Sequence, residues 1–345
     1  MIQLRPDWYK EHWENHGERP ERLRKCALIT GISGQDGSYL AEYLLGLGYC
    51  VHGILRRHSV AENQDARINK IDNHQLITHY GDLTDELSLV RILQEESFDE
   101  IYNLAAMSHV RISTDMPSFT IKTNSLGVLN MLELCRTLQP WAQFYQASSS
   151  EMFGNSIDED GCQRITTPMH PVSPYGCSKV LAYNLVRHYR AGYNLHAVNG
   201  ILFNHESPRR GSNYVTNKVV KTAVQIKKGL CDKLELGNLD SSRDWGHSKD
   251  YVRAMHLINT QETPKDYIVA TGDTRTVRDF CRYTFDALGM NYEDYVTQNP
   301  KFMRPEELKF LKGDSTPIRE DLGWEPEYTF ESMLDEMIEF WMNNV

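Results

Sequence analysis

The feature that most constrains this chain is an apolar run, Cys26–Thr30, that passes directly into Gly31-x-x-Gly34-x-x-Gly37 and then into helical patterning. A short apolar run bounded by glycine reads as a buried strand. The three glycines have separate tasks. The first permits a tight turn, the second lets a ligand approach the backbone, and the third lets the new helix pack against the strand. Spare N–H groups at the helix N-terminus then face the ligand, which suits a phosphate. Glycine triplets alone are weak evidence. One set between a strand and a helix, within a repeating strand–helix pattern, predicts a dinucleotide site.

The repeat is present. Further strands are expected at Val51–Leu55, Leu76–Tyr80, Glu100–Leu104, Gln143–Ala147 and His196–Leu202. Helices are expected at about 38–47, at 85–94, along a stretch with Val128, Leu129, Leu132 and Leu134 that ends near 138, and at 175–190. Strands separated by helices imply an α/β fold with a parallel, doubly wound Rossmann sheet and a ligand site at the C-terminal strand ends. Beyond about Phe203 the rhythm loosens. Short apolar runs (Leu234–Leu236, Tyr267–Ala270) mix with helical segments near 215–228, 249–259, 277–288 and 330–342. This predicts a smaller C-terminal α/β lobe packed over the strand ends.

Composition sets outer limits. The chain has 345 residues, enough for one large or two modest domains. Apolar residues make up 40% and charged residues 24%, as in a soluble globular protein. A net charge of −10 argues against general binding to nucleic acid or a membrane surface. No run approaches the roughly 18 apolar residues of a membrane span. Seven cysteines, an odd number, form no C-x-x-C, so neither a zinc site nor a disulfide framework is expected. Reduced thiols point to a cytoplasmic protein. Residues 1–24 read as a charged extension without the apolar centre of a secretory signal. Trp8 and Trp13 within it are candidates to dock on the body or on another subunit.

Redox chemistry enters with Tyr175-Gly-Cys-Ser-Lys179. On a helix, i and i+4 share a face. An ammonium beside a phenol is expected to lower its pKa from about 10 toward neutral, giving a base for a substrate hydroxyl. The spacing alone does not discriminate, because Tyr214-Val-Thr-Asn-Lys218 repeats it. Context does: Tyr175 follows Ser-Pro at a helix start, 26 residues past Ser149, and Tyr214 has no such companion. Ser149 would hydrogen-bond the substrate oxygen that Tyr175 deprotonates. Glu151, close by, goes beyond alcohol oxidation. A dehydratase needs a base for the proton next to a new ketone and an acid for the departing hydroxyl; the bland alternative is a solvated loop carboxylate.

Arg56-Arg57 ends the second strand, where sites that prefer NAD usually hold an acid. Two arginines suit a 2′-phosphate, and the alternative is a solvated basic turn. Asp82-Leu83 closes the third strand, where an Asp can take the adenine amino group. Leu104-Ala105-Ala106 places small residues after the fourth, where a cofactor must lie flat. Arg209, Arg210, Lys218, Arg243 and Arg304 are cations in the second half of an acidic chain. A diphosphate substrate would use some of them, although single charges more often face solvent. His109, His205 and His247 show no metal-ligand spacing, so no metal is expected.

The segments TGISGQDGSYLAEYLL, YGDLTD, YNLAAMSHV, QASSSEMFG, SPYGCSK, GILFNHESPRRG and RDWGHSKDYV resemble the GDP-mannose 4,6-dehydratase family of extended short-chain dehydrogenase/reductases, from about Lys25 to the C-terminus. NHESPRRG and RDWGHSKDYV are specific to that family; the Tyr-Lys pair is shared by the whole superfamily. The resemblance implies bound NADP on Gly31, Ile32, Ser33, Gly34, Gln35, Asp36, Arg56, Arg57, Ser59, Asp82, Leu83, Leu104, Ala105, Ala106, Ser108, Tyr175, Lys179, His205 and Arg210. It puts catalysis on Ser149, Glu151, Tyr175 and Lys179. It puts a GDP-sugar on Ser108, Ser149, Glu151, Asn204, Lys218, Arg243, Arg304 and Glu307. Residues 25–203 would be the NADP-binding Rossmann domain, with segments returning from the C-terminal half, and 204–345 mainly the nucleotide-sugar lobe. The segment His58–Arg67 is similar to a loop that reaches a neighbouring subunit's cofactor site, which implies a homodimer or homotetramer.

The implied reaction converts GDP-D-mannose to GDP-4-dehydro-6-deoxy-D-mannose and water, within GDP-deoxyhexose (fucose or rhamnose) biosynthesis. Alternatives are an added reduction of the 4-keto product to GDP-D-rhamnose, another nucleotide-sugar epimerase or reductase, and a silent NADPH-binding regulator. A silent regulator can dispense with the Tyr-Lys pair, which this chain keeps. Three residues depart from the family pattern. Ser149 replaces a Thr and loses the methyl that restricts its rotamer. Asn217 stands where an Arg is common, and Phe119 lacks the hydroxyl of the expected Tyr.

Overall fold

Strand β1, Cys26–Thr30, is buried along its whole length, as befits a central strand covered on both faces. A computed structural model describes residues 24–57, 67–69, 71–303 and 306–345. Trp8, Trp13, Ser59 and Arg304 lie outside these described residues. After β1 come helix α1 (Gln35–Gly46), β2 (Cys50–Leu55), β3 (Leu76–Tyr80), α2 (Glu86–Glu95) and β4 (Glu100–Asn103). Then follow α3 (Val110–Asp115), α4 (Pro117–Ile121), α5 (Gly127–Leu138), β5 (Gln143–Ser149), α6 (Pro174–Tyr193) and β6 (Ala197–Leu202). The C-terminal part adds β7 (Asn204–Glu206), α7 (Val215–Lys227), β8 (Leu234–Leu236), β9 (Ser242–His247) and α8 (Ser248–Thr260). It ends with β10 (Tyr267–Val269), β11 (Thr274–Thr276), α9 (Val277–Ala287), β12 (Val296–Gln298), α10 (Thr316–Leu322) and α11 (Phe330–Asn344).

The main sheet has seven strands in the order β10-β6-β5-β4-β1-β2-β3, every neighbouring pair parallel. The strand order reverses between β1 and β4. A crevice therefore opens there beyond the C-terminal strand ends, and ligands bind at such a switch point. One face is covered by α1 and α8 through Leu40, Leu44, Tyr251 and Met255. The other is covered by α2, α5 and α6 through Ile92, Met131, Leu132 and Val186. The doubly wound α/β architecture expected from the alternating pattern is thus present. Among the described residues no helix is long and apolar enough to cross a membrane.

Two features depart from the sequence pattern. The single long helix expected to end near 138 is broken into α3, α4, a π-helical turn at Lys122–Leu126, and α5. Pro117 starts α4, because proline fits a first helical turn but not a helix interior. The second departure is a small three-stranded sheet, β11-β9-β7, built from strands of three to six residues with mixed polar sequence. Such strands carry no clear alternation and were not expected. They sit beside a separate core in which Val219, Val220, Phe280, Phe285, Met333 and Met337 pack near Trp245. The seventh strand of the main sheet, β10, comes from this half of the chain and pairs with β6.

Candidate active site

The turn after β1 begins at Gly31 with φ +71°, a conformation that favours glycine. A Cβ there would stand 2.9 Å from the backbone of Ala105. A Cβ on Gly37 would stand 2.3 Å from the Gly31 carbonyl oxygen, so only glycine lets α1 start this close to the turn. Thr30 braces the same point. Its hydroxyl donates to Asn103 Oδ1 at 2.7 Å and accepts from the Leu104 and Ala105 N–H groups at 3.1 and 3.0 Å. The end of β4 is thereby locked to the end of β1.

A cleft of about 830 Å³ runs from this turn across the strand ends into the C-terminal lobe. It is lined by Gly31, Ser33, Gly34, Gln35, Asp36, Arg56, Asp82, Leu83, Leu104, Ala105, Ala106 and Ser108 on one side. Ser149, Glu151, Tyr175, Lys179, Asn204, His205, Arg210, Lys218, Arg243 and Glu307 line the remainder. Two of the expected residues point elsewhere. The Ile32 side chain is buried beneath Gly53. The Arg57 guanidinium lies 5.3 Å from the Tyr80 ring centre and donates to its hydroxyl at 3.2 Å. Arg209 also leaves the cleft, pairing with Glu42 at 2.6 Å and lying 4.0 Å from the Tyr39 ring centre.

The side chains expected to carry the reaction come from two elements. β5 ends at Ser149, and the 3-10 turn Ser150–Met152 swings Glu151 inward. The Glu151 N–H donates to Ser149 Oγ at 3.2 Å, and both residues are buried. Helix α6 starts with Ser173, whose hydroxyl accepts from the Gly176 N–H at 3.0 Å, and with Pro174 in its first turn. This fixes Tyr175 at the mouth of the helix and Lys179 one turn further. Lys179 Nζ donates to the Ala147 carbonyl at 2.7 Å and lies 5.8 Å from the centre of the Tyr175 ring.

The expected lowering of the Tyr175 pKa by Lys179 does not occur in the protein alone. Burial dominates and raises the phenol above its ordinary range. The opposing influences are a hydrogen bond from the Ser149 hydroxyl and, more weakly, the Arg210 cation; Tyr214 and Glu151 push the other way. Burial also lowers Lys179, to about 8. Desolvation disfavours both charged forms, and for the Tyr175 phenol this burial outweighs the cations around it.

The π turn that interrupts the expected helix has a local purpose. It carries Asn124, which is buried. The Asn124 amide oxygen accepts from the Met107 N–H at 2.8 Å; its nitrogen donates to the Met107 carbonyl and to Ser178 Oγ, both at 3.0 Å. Asn124 therefore ties the loop after β4 to the residue before Lys179. Sequence reasoning missed it, because a lone Asn in an apolar helical stretch gives no signal. The neighbouring Thr123 hydroxyl is buried at the cleft wall and has no hydrogen-bond partner among the described residues. An orphaned donor at that position fits a bound polar cofactor.

A polar seam joins α1 to the C-terminal lobe. His205 Nε2 lies 2.9 Å from Asp36 Oδ2, and Gln35 Nε2 donates to the His205 carbonyl at 3.1 Å. Ser207 donates to Gln35 Oε1 at 2.8 Å. Burial opposes both charges, yet their mutual attraction wins: Asp36 is held below the ordinary carboxylate range and His205 above its ordinary value. Arg210 pairs with buried Glu206 at 3.0 Å. Arg67 donates to the carbonyls of Ser33 at 3.1 Å and Arg209 at 2.8 Å, so this end of the expected inter-subunit segment sits on its own chain's glycine turn.

At the far end of the cleft, Lys218 Nζ donates to the Glu235 carbonyl at 2.6 Å and lies 4.0 Å from the Phe302 ring centre. Arg243 is buried and donates to the Ser242 carbonyl at 2.8 Å. Asn217, in place of the expected arginine, donates to the Arg210 carbonyl at 2.6 Å and accepts from Trp341 Nε1 at 2.6 Å. It anchors the Arg210 loop to α11 and does not face the cleft. Tyr214, set aside in favour of Tyr175 as the redox tyrosine, does line the cleft.

The chain matches the family described as GDP-mannose 4,6 dehydratase over residues 28–337. It is 48% identical to GDP-mannose 4,6 dehydratase 2 of Arabidopsis thaliana, over 92% of this chain and 86% of that protein. It is 44% identical to the human GDP-mannose 4,6 dehydratase, over 91% of each chain. Among solved structures, a dTDP-glucose 4,6-dehydratase from Streptomyces venezuelae with NAD bound superposes with a TM-score of 0.82 at 24% identity, over 92% of this chain and 97% of that one. The structure of RMD from Pseudomonas aeruginosa complexed with NADPH gives 0.76 at 22% identity, over 92% and 99%. The structural likenesses speak for the Rossmann-type fold; the sequence relatives go further. With its glycine turn, Tyr-Lys pair and buried glutamate assembled in one cleft, the chain belongs to the GDP-mannose 4,6-dehydratase family.

Proposed function

We propose that the protein dehydrates GDP-D-mannose to GDP-4-dehydro-6-deoxy-D-mannose, using a tightly held NADP that ends each turnover as it began. The observation that carries this reading is the position of Glu151. It lines the same cleft as Ser149 and Tyr175 and is buried there, so it is not a solvated loop residue. Gly31–Asp36 and Ala105-Ala106 would cradle the dinucleotide, with its pyrophosphate at the start of α1. Arg56 at the end of β2 faces the cleft and supports NADP over NAD. Residues 25–203 would carry the cofactor, and 204–345 mainly the nucleotide sugar through Asn204, Lys218, Arg243 and Glu307.

Bound there, the nicotinamide supplies the hydride acceptor for C4 and, once reduced, the hydride donor for C6. The side chains handle the protons. Ser149 would hold the C4 oxygen while Tyr175 accepts its proton; burial keeps that phenol protonated in the protein by itself, so the positive charge of a bound oxidised nicotinamide would have to favour its ionised form. The new C4 ketone acidifies the neighbouring C5–H. Glu151 takes that proton and delivers it to the C6 oxygen, so the C5–H and C6–O bonds break, a C5–C6 double bond forms and water leaves. The alkene would then gain hydride at C6 and a proton at C5, and the proton that Tyr175 took from the C4 hydroxyl is the one left to supply it, because Glu151 has given its own to the departing water. Burial of Tyr175 and Lys179 at the cleft wall limits the water that reaches these two groups.

Among the described residues no disulfide joins the seven cysteines, which supports a cytoplasmic setting. A homodimer or homotetramer is the proposed assembly, to be measured by sedimentation. Glu151→Gln is the direct test. Incubated with GDP-mannose, the wild-type protein should yield product lighter by one water without added reductant. The variant should make none of it, while C4 oxidation still builds up reduced cofactor absorbance. A fully active variant would refute the role of Glu151.

A further inference from the structure

The second Tyr-x-x-x-Lys of this chain is not a redox pair. Lys218 turns toward the Glu235 carbonyl and the Phe302 ring, leaving Tyr214 without it. Tyr214 is the residue that precedes α7, and its backbone is extended there. Its side chain does not cap the helix and instead crosses the cleft. The phenol oxygen lies 2.7 Å from Ser108 Oγ, 106 residues earlier, on the loop that follows β4. A second rung runs beside it: His109 Nε2 lies 3.3 Å from the Asn213 carbonyl, and the His109 and Tyr214 rings are 5.3 Å apart. The Arg210 guanidinium lies over the Tyr214 ring at 3.8 Å.

We propose that Tyr214 is a positioning residue whose hydroxyl latches the C-terminal lobe to the cofactor side of the cleft through Ser108, holding the cleft shut between the two hydride transfers. This rests on the reading of the cleft as a nicotinamide and nucleotide-sugar site. The chemistry creates the need. Between oxidation at C4 and reduction at C6, both the reduced cofactor and a reactive keto-sugar must stay in place, and every opening in that interval loses the turnover. Rossmann residues alone cannot prevent this, because the sugar side of the cleft belongs to the other lobe. The two-rung contact at 108–214 and 109–213 is a direct bridge between them. The stacked Arg210 ties the latch to the chemistry, since it packs on the Tyr214 ring at 3.8 Å and lines the same cleft as Tyr175.

The test is the release rate of bound NADPH, with NADH in parallel, followed by cofactor fluorescence after mixing with excess unlabelled oxidised cofactor. Tyr214→Phe keeps the ring under Arg210 and removes only the hydroxyl. Release is expected to quicken about fivefold, the worth of one net hydrogen bond. Ser108→Ala should do the same, and the double variant should be no faster than either single one. With GDP-mannose, Tyr214→Phe should shed reduced cofactor or keto-sugar that retains its C6 hydroxyl. Release by Tyr214→Phe within twofold of wild type, or additive effects in the double variant, overturns the latch while leaving the dehydratase reading intact. Wild-type protein that holds neither cofactor overturns both.

Discussion

Asp36→Asn should destabilise the cofactor-free protein in a way that depends on pH. The carboxylate faces His205 across the seam between α1 and the C-terminal lobe, 2.9 Å from Nε2. Both side chains are mostly buried, at 24% and 10% exposure, so little of their attraction is lost to solvent. Two unit charges at that separation attract by about 6 kcal/mol at an effective dielectric of about 20. Desolvation offsets much of this, and a loss of about 2 kcal/mol is expected when the charge is removed and the shape kept. The direction with pH follows from the shifts. His205 is raised above its ordinary 6.5, so its contribution is full below that value and fades as pH rises through the folded pKa. Asp36 is lowered below its ordinary 3.8, so the pair survives acidification until that lower pKa is reached. Urea denaturation at about pH 5.5 should show the full gap between wild type and variant, and at about pH 8.5 less than half of it. A gap that is the same at both values, or larger in alkali, would refute the ion pair as the source.

Two further outcomes probe other parts of the site. Arg56→Ala should weaken NADP binding about 10- to 100-fold and leave NAD binding within about twofold, read by fluorescence titration; equal losses for both would remove Arg56 from phosphate recognition. Asn124→Ala strands the Met107 N–H and carbonyl and frees Ser178. It should cost about 2–3 kcal/mol, a fall in Tm of about 3–4 °C for a chain of this size, seen by calorimetry; an unchanged Tm would mean water replaces the amide.

Much of this protein is legible in its sequence. Strands Cys26–Thr30 and Leu76–Tyr80 appear with the expected bounds, and β2, β4, β5 and β6 within one or two residues. The central strand β1, CALIT, is buried on both faces and is therefore almost wholly apolar, and that demand is written directly into the sequence. The glycine turn was equally legible, because Gly31 and Gly37 occupy positions where a Cβ would collide with backbone. Family membership followed from long motifs such as RDWGHSKDYV, whose mixed polar pattern no folding requirement alone would impose.

Other properties belong to the tertiary structure. The polar strands β7, β9 and β11 exist because the lobe around them supplies partners, which no local pattern reports. The π turn at Lys122–Leu126 arises where Asn124 finds bonds to Met107 and Ser178, groups distant in sequence. Most telling is the Tyr-Lys pair. The i, i+4 spacing of Tyr175 and Lys179 set their shared face but not their charge state, since burial raises one pKa and lowers the other. Desolvation depends on everything packed around a group, and only the folded chain determines what that is.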